Sequence, residues 1–267
     1  MESRVQARAA IDAGLVVVGG SPADKPTRMV APDEAVVVLG PPARFVSRGG
    51  EKLDAALDRF EIDVTGRRAL DAGASTGGFT DCLLQRGART VYAVDVGHGQ
   101  LDPRLRRDPR VHVLERVNVR TLTVEQLDVG AEPAFEPCTI VTADLSFISL
   151  VTVTPVLCGP LAAPDADLVL LVKPQFEAGR AEASRGKGVI RDPLVWHAVL
   201  ERVTSALTGA GTGIMGAMVS PLTGPAGNVE FLLHARRGVV ARGQNARADR
   251  LLAAAVGEAE SRRAATG

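Results

Sequence analysis

The chain has 267 residues, 46% hydrophobic and 23% charged, with 31 basic side chains balanced by 31 acidic ones. This fits a soluble globular protein with one sizeable core and a smaller attachment, and a nucleic-acid partner would have to be met by a local basic patch. Three cysteines, Cys82, Cys138 and Cys158, without C-x-x-C spacing suggest neither a disulfide framework nor zinc, and no apolar run approaches the roughly 18 residues of a membrane span, so a cytoplasmic protein is expected.

Residues 3–13, "SRVQARAAIDA", predict a short, weakly amphipathic helix with Val5, Ala9 and Ala13 on one face, Arg4 and Arg8 beside it, and Ile11 off the stripe. Gly14 ends it. "LVVV" and "EAVVVLG" read as strands separated by the turn-rich "GGSPADKP". The result is a small unit over 1–40, too short to be comfortable alone. A linker over 41–48 begins at Pro41-Pro42, and a helix from about Gly50 turns Leu53, Ala56, Leu57 and Phe60 inward. Lys52 falls in its first turn, where the helix dipole disfavours a cation; a solvated surface lysine and a functional one both remain open.

From Arg68 strands and helices alternate: strand "RALDA", a helix from Gly77, strands "TVYAVD", "VHVLE" and "TIVTADL", a helix from Ser149, strand "DLVLLVK", helix "DPLVWHAVLERVTSAL", then strands "GIMGAMV" and "VEFLLHA". Such alternation predicts a mostly parallel sheet covered on both faces, in a domain over 49–238. The segment 239–267, rich in Ala, Arg and Glu with Leu251, Leu252 and Val256 as its anchors, predicts a frayed helix or a flexible tail.

"LDAGASTGGFTD", from Leu70 to Asp81, reads as strand, tight turn and helix start. Its glycines, Gly73, Gly77 and Gly78, do not fit the G-x-G-x-x-G of a pyrophosphate site. Asp71, expected at the mouth of the turn, would repel pyrophosphate and attract an ammonium or sulfonium, as in S-adenosylmethionine. Asp95 ends the next strand, where an acidic side chain accepts from ribose hydroxyls, and Asn118 could read an adenine edge. Strand-end caps and Asx turns are the ordinary alternatives for both.

Asp144 ends the fourth strand and Lys173 the fifth, both at the carboxyl edge of the sheet, and they should be neighbours. A buried lysine beside a carboxylate could orient a ribose hydroxyl and accept its proton during methyl transfer; a structural ion pair is the other reading. Glu230 either faces solvent or reaches the same edge. The chain has four lysines among its 31 basic residues, which gives Lys52 and Lys173 added interest. The histidines His98, His112, His197 and His234 lack ligand spacing, so no metal is expected.

In "FVSRGGEKL", "LDAGASTGGFTD", "VDVGHGQL", "ADLSFISL", "VKPQFE" and "GPAGNVEF", in that order from Phe45 to Phe231, the chain resembles the TlyA family of bacterial ribosomal RNA 2′-O-methyltransferases, whose members have long carried the name haemolysin. The resemblance implies a Rossmann-like class I α/β fold dependent on S-adenosylmethionine, with ribosomal RNA or ribosomal subunits as partner. It implies a Lys-Asp-Lys-Glu tetrad at Lys52, Asp144, Lys173 and Glu230, and a cofactor held by Asp71, Gly73, Ser75, Thr76, Gly77, Gly78, Phe79, Asp95, Val96, Asn118 and Asp144. The first unit resembles an S4-type RNA-binding domain lacking its first helix, joined through "ARFV". RNA contacts are then expected from Arg4, Arg8, Lys25, Arg28, Arg44 and Arg48, with the loop "FEAGRAEASRGKGVIRD" closing over substrate.

Three other readings compete: a methyltransferase of a small molecule or nucleoside, a cofactor-binding module without catalysis, and a pore-forming haemolysin. No strongly amphipathic or long apolar segment supports the last.

Overall fold

The computed structural model describes residues 4–40, 43–128, 135–179, 182, 186, 188–239 and 244–266. The first part of the chain forms α1 (Arg4–Asp12), β1 (Val16–Val18), β2 (Ser21–Pro22) and β3 (Val36–Val38). The strands make an antiparallel sheet in the order β2-β1-β3. Its core is Val16, Val18 and Ala23, against which Ala10 and Ile11 pack. The expected inward face of α1 is corrected at two positions: Ile11 packs on the core and Ala13 is exposed, while the side chains of Val5 and Ala9, also expected on that face, lie outside the described residues.

The remainder forms α2 (Gly49–Arg59), β4 (Arg68–Ala72), α3 (Gly78–Gln85), β5 (Thr90–Asp95), α4 (Pro103–Arg106), β6 (Val111–Glu115), α5 (Val124–Leu127), β7 (Cys138–Ala143), α6 (Leu150–Leu157), β8 (Ala162–Val172), α7 (Pro174–Glu177), α8 (Pro193–Gly209), β9 (Thr212–Val219), β10 (Phe231–Arg237) and α9 (Gln244–Thr266). Seven strands run in the order β6-β5-β4-β7-β8-β10-β9. The first five are parallel, and β10 lies antiparallel between β8 and β9. Near-continuous apolar runs such as Leu168–Val172 are what a strand covered on both faces requires. One face packs on Leu53, Ala56 and Leu57 of α2 and Phe79, Cys82 and Leu83 of α3. The other packs on α6, α8 and α9.

Two segments are better ordered than their composition suggests. In α9, Ala248, Leu252, Ala255, Val256 and Ala259 are buried, and the helix lies against β9 and α8. Small alanines at helical spacing, which add little to an apolar count, let it approach closely. Near the linker, Phe45 is buried against Gly50, where a Cβ would collide with its ring, and the Val46 amide donates to Asp81 Oδ2 at 2.8 Å. "ARFV" is thus fastened to α2 and α3.

Strand order reverses between β4 and β7, so the loops leaving their carboxyl ends diverge and open a crevice, the usual ligand position in this kind of sheet.

Candidate active site

The turn after β4 is held to β5 by the Gly73 and Ala74 amides, which both donate to the Val94 carbonyl, at 2.8 and 3.1 Å. Gly73 has φ +88°, and a Cβ there would lie 2.5 Å from the Asp144 carbonyl oxygen. Only glycine suits this crossing. The Asp95 carboxylate receives the Ser75 amide at 2.8 Å and the Gly97 amide at 2.6 Å, which fixes it at the end of β5 with lone pairs to spare. Asn118 Oδ1 accepts from the Arg120 amide at 3.0 Å, so its NH2 is the donor left for a ligand. Gly73, Ser75, Asp95, Val96, Asn118 and Asp144 all line one cavity of about 490 Å³.

A second cavity of about 320 Å³ is lined by Ser47, Arg48, Lys52, Thr76, Gly78, Phe79, Lys173 and Glu230. Gly73, Ser75, Asp144 and Ser146 belong to both linings, so the two cavities share a wall. Lys173 Nζ lies 2.6 Å from Asp144 Oδ1 and donates to Ser146 Oγ at 3.1 Å. Asp144 Oδ1 accepts no well-aligned hydrogen bond, so its contact with Lys173 is Coulombic and the Ser146 bond is the directional one. Lys52 Nζ donates to Glu230 Oε2 at 2.5 Å, with both side chains buried. Lys52 is thus not a solvated surface lysine, and Glu230 does not face solvent.

Two sequence expectations are corrected. Asp71 is not at the mouth of the turn; it lies wholly buried inside β4 and lines neither cavity. It accepts from Thr80 Oγ1 at 2.6 Å and Thr142 Oγ1 at 3.2 Å, tying β4 to α3 and β7. Burial pushes its carboxyl up to about 7, assisted by the negative charge of Asp144 and opposed by those hydroxyls. Gly77, at φ +100°, is required by the packing of Leu101 and Leu105 and also lines neither cavity.

The expected RNA contacts are scattered. Arg48 lines the second cavity. Arg44 is paired with Asp54, Arg28 with Glu34 at 2.6 Å, and Arg8 with Asp12 at 3.7 Å. Lys25 and Arg28 border an apolar groove of the small sheet. The Arg4 side chain and much of the loop "FEAGRAEASRGKGVIRD" (residues 180, 181, 183–185 and 187) fall outside the described residues. Among the described residues, no cluster could hold a metal ion.

Sequence reasoning passed over three residues here. Phe147 is 91% exposed with φ +64°, tilted on Phe176 at 5.0 Å, and lines the first cavity. An exposed aromatic beside "AD" after a strand was the available signal. Ser146 and the buried Glu177 had none, since only the folded chain brings them to Lys173 and to α6.

The fold is that of a Rossmann-like class I methyltransferase; a solved structure from Listeria monocytogenes, described as an S-adenosylmethionine dependent methyltransferase, shares it at TM-score 0.51 and 14% identity over 71% of this chain and 99% of that one. Residues 45–237 match the FtsJ-like methyltransferases, and the chain belongs to that family. It is 49% identical over 235 residues, 88% of this chain and 84% of the other, to the 16S/23S rRNA (cytidine-2′-O)-methyltransferase TlyA of Mycobacterium tuberculosis. It is 38% identical to Hemolysin A of Brachyspira hyodysenteriae, over 87% of this chain and 93% of that one. A solved structure from Streptococcus thermophilus, named a hemolysin, superposes at TM-score 0.78 with 37% identity, over 98% of this chain and 94% of the other.

Proposed function

We propose that the protein methylates the ribose 2′-hydroxyl of cytidines in ribosomal RNA, using S-adenosylmethionine. The observation that carries the reading is the Lys173–Asp144 pair in a cavity that shares its wall with the cavity of Asp95 and Asn118.

The residues fit the cofactor. Asp95 offers a fixed carboxylate to a ribose diol, Asn118 an amide to a base edge, and Val96 an apolar surface. The glycine at 73 and the backbone of Ser75 and Thr76 leave room for an amino-acid moiety beside Asp144. When bound, S-adenosylmethionine supplies an electrophilic methyl group on sulfonium. Lys173, as the amine, holds the substrate hydroxyl and receives its proton at Nζ, and Asp144 at 2.6 Å stabilises the ammonium so formed. Lys52 and Glu230 neutralise one another in the adjoining wall and give it a fixed shape. Phe147 at the rim offers a stacking face for an unpaired base, the common way in which proteins hold single-stranded RNA.

The small N-terminal unit, with Arg4, Arg8, Lys25 and Arg28, serves in this reading as an S4-like arm on the same RNA, and the site of action is the cytoplasm, where the subunits are. Labelled S-adenosylmethionine incubated with separated small and large subunits, followed by nuclease digestion, tests the whole reading. Label on the ribose of cytidines is expected. Label confined to a free nucleoside or small molecule, or none despite cofactor binding, would overturn it. Among the described residues no helix is long and apolar enough to cross a membrane.

A further inference from the structure

Lys173 and Asp144 sit on different loops, and a flexible lysine aims at a substrate only if both loops are fixed. The Lys173 loop runs directly into α7, whose last residue is Glu177. The Asp144 loop carries Ser146 and Phe147 and runs into α6. Glu177 joins the two. It is 4% exposed, and its carboxylate accepts from Ser149 Oγ at 2.5 Å and from the Leu150 amide at 2.7 Å, the first backbone N–H of α6. Arg202 of α8 stands 3.8 Å away. The carboxylate therefore caps a helix that its own segment does not belong to, where an anion is favoured by the helix dipole.

Burial raises the Glu177 carboxyl above the ordinary range, opposed by Ser149 and Leu150. A merely solvating fold would place such a group at the surface. Opposite the cap, Phe147 is held at φ +64° against Phe176, and Ser146 Oγ takes the directional hydrogen bond of Lys173. As the amine, Lys173 has two N–H groups and one lone pair; Ser146 takes one N–H and Asp144 lies close on the other side, which leaves the lone pair free to turn to the proton of a substrate hydroxyl.

We propose that Glu177 is a positioning residue for methyl transfer: by clamping the start of α6 to α7 it holds Ser146 where Ser146 can aim Lys173. The inference rests on the reading of Lys173 as the group that receives the substrate proton. Glu177 touches neither cavity lining, so its effect must pass through the loop.

The test is a double-mutant cycle of Glu177→Ala and Ser146→Ala, with Glu177→Gln as the conservative variant, read by single-turnover transfer to ribosomal subunits at saturating cofactor. Glu177→Ala is expected to lower the rate constant of transfer about tenfold or more while the KM for RNA and the Kd for cofactor move less than about twofold. Gln, which can accept from Leu150 and donate to Ser149, should restore the rate to within about threefold of the original. The double variant should be no slower than the slower single one. Rates that multiply in the double variant, or a Glu177→Ala rate within about twofold of the original, would overturn the proposal, as would a rate loss that Gln fails to recover. Amide exchange of residues 145–148 provides a second readout that needs no substrate: Glu177→Ala should speed it about tenfold, and unchanged exchange would also overturn the clamp. If the original protein transfers no methyl group to either subunit, the functional reading fails, and the exchange measurement still judges the clamp by itself.

Discussion

The two sheets of this protein are made of similar residues and solve different problems. In the seven-stranded sheet, valines and leucines of β4, β7 and β8 are covered on both faces. In the three-stranded sheet, β3 is also three valines, yet Val36, Val37 and Val38 are each about half exposed, and Met29 nearby is 91% exposed. The large sheet can therefore bury Asp71, Lys52, Glu230 and Glu177, since each finds partners and the surrounding core offsets the cost of desolvation. Among the described residues, the small one rests on a core of Val16, Val18 and Ala23 and forms its ion pairs, Arg8–Asp12 and Arg28–Glu34, outside that core. The lesson is that burying a set of ionisable side chains needs a core far larger than the set itself.

Substitutions can break this contrast. The largest effect is expected from Lys173→Ala, which should reduce methyl transfer by about a thousandfold while cofactor affinity, followed by calorimetry, changes little. Next come Lys52→Met and Glu230→Gln, each leaving a buried charge or polar group without its partner; urea unfolding should register losses of about 3–5 kcal/mol for Lys52→Met and less for the combined change of Lys52→Met with Glu230→Leu. A combined variant less stable than either single one would contradict the pairing.

Asp71 sharpens the contrast through pH. Its folded pKa, about 7, lies above the ordinary value of 3.8, so the folded state favours the protonated form. Its contribution to stability is present in full below about pH 4 and is lost as pH rises toward 7, on the order of 4 kcal/mol over that window. Asp71→Asn lacks this dependence, so its stability relative to the original should climb between pH 4 and 7 and level off above; a flat difference would show that the carboxyl ionises freely. The smallest effect on the fold is expected from Arg8→Glu in the exposed α1: unfolding within about 0.5 kcal/mol of the original, with weaker RNA binding and a shallower salt dependence.

Much of the large unit was legible because its strands read as short apolar runs bounded by turns; "TVYAVD" coincides with β5 residue for residue, and so does "VHVLE" with β6, although that edge strand is only partly buried. Lys173 and Asp144 were legible because strand ends at one edge of a sheet must be neighbours. Depth was not. Asp71 belongs to the same short run as Gly73, and nothing in the letters says that its side chain turns into the core while the next turn faces the crevice. In α9 the alanines hid the inward face, since burial there follows close approach rather than hydrophobicity. Glu177 looked like one more acidic residue in a turn because its partner, the start of α6, is fixed only by tertiary packing.

The Lys52–Glu230 contact joins residues 178 positions apart. Its second member is contributed only when most of the polypeptide has been synthesised, after every parallel strand of the sheet. While the chain is still being made, the wall of the second cavity lacks that carboxylate until Glu230 has been added. The wall of that cavity is thereby incomplete for most of the time the chain spends emerging from the ribosome.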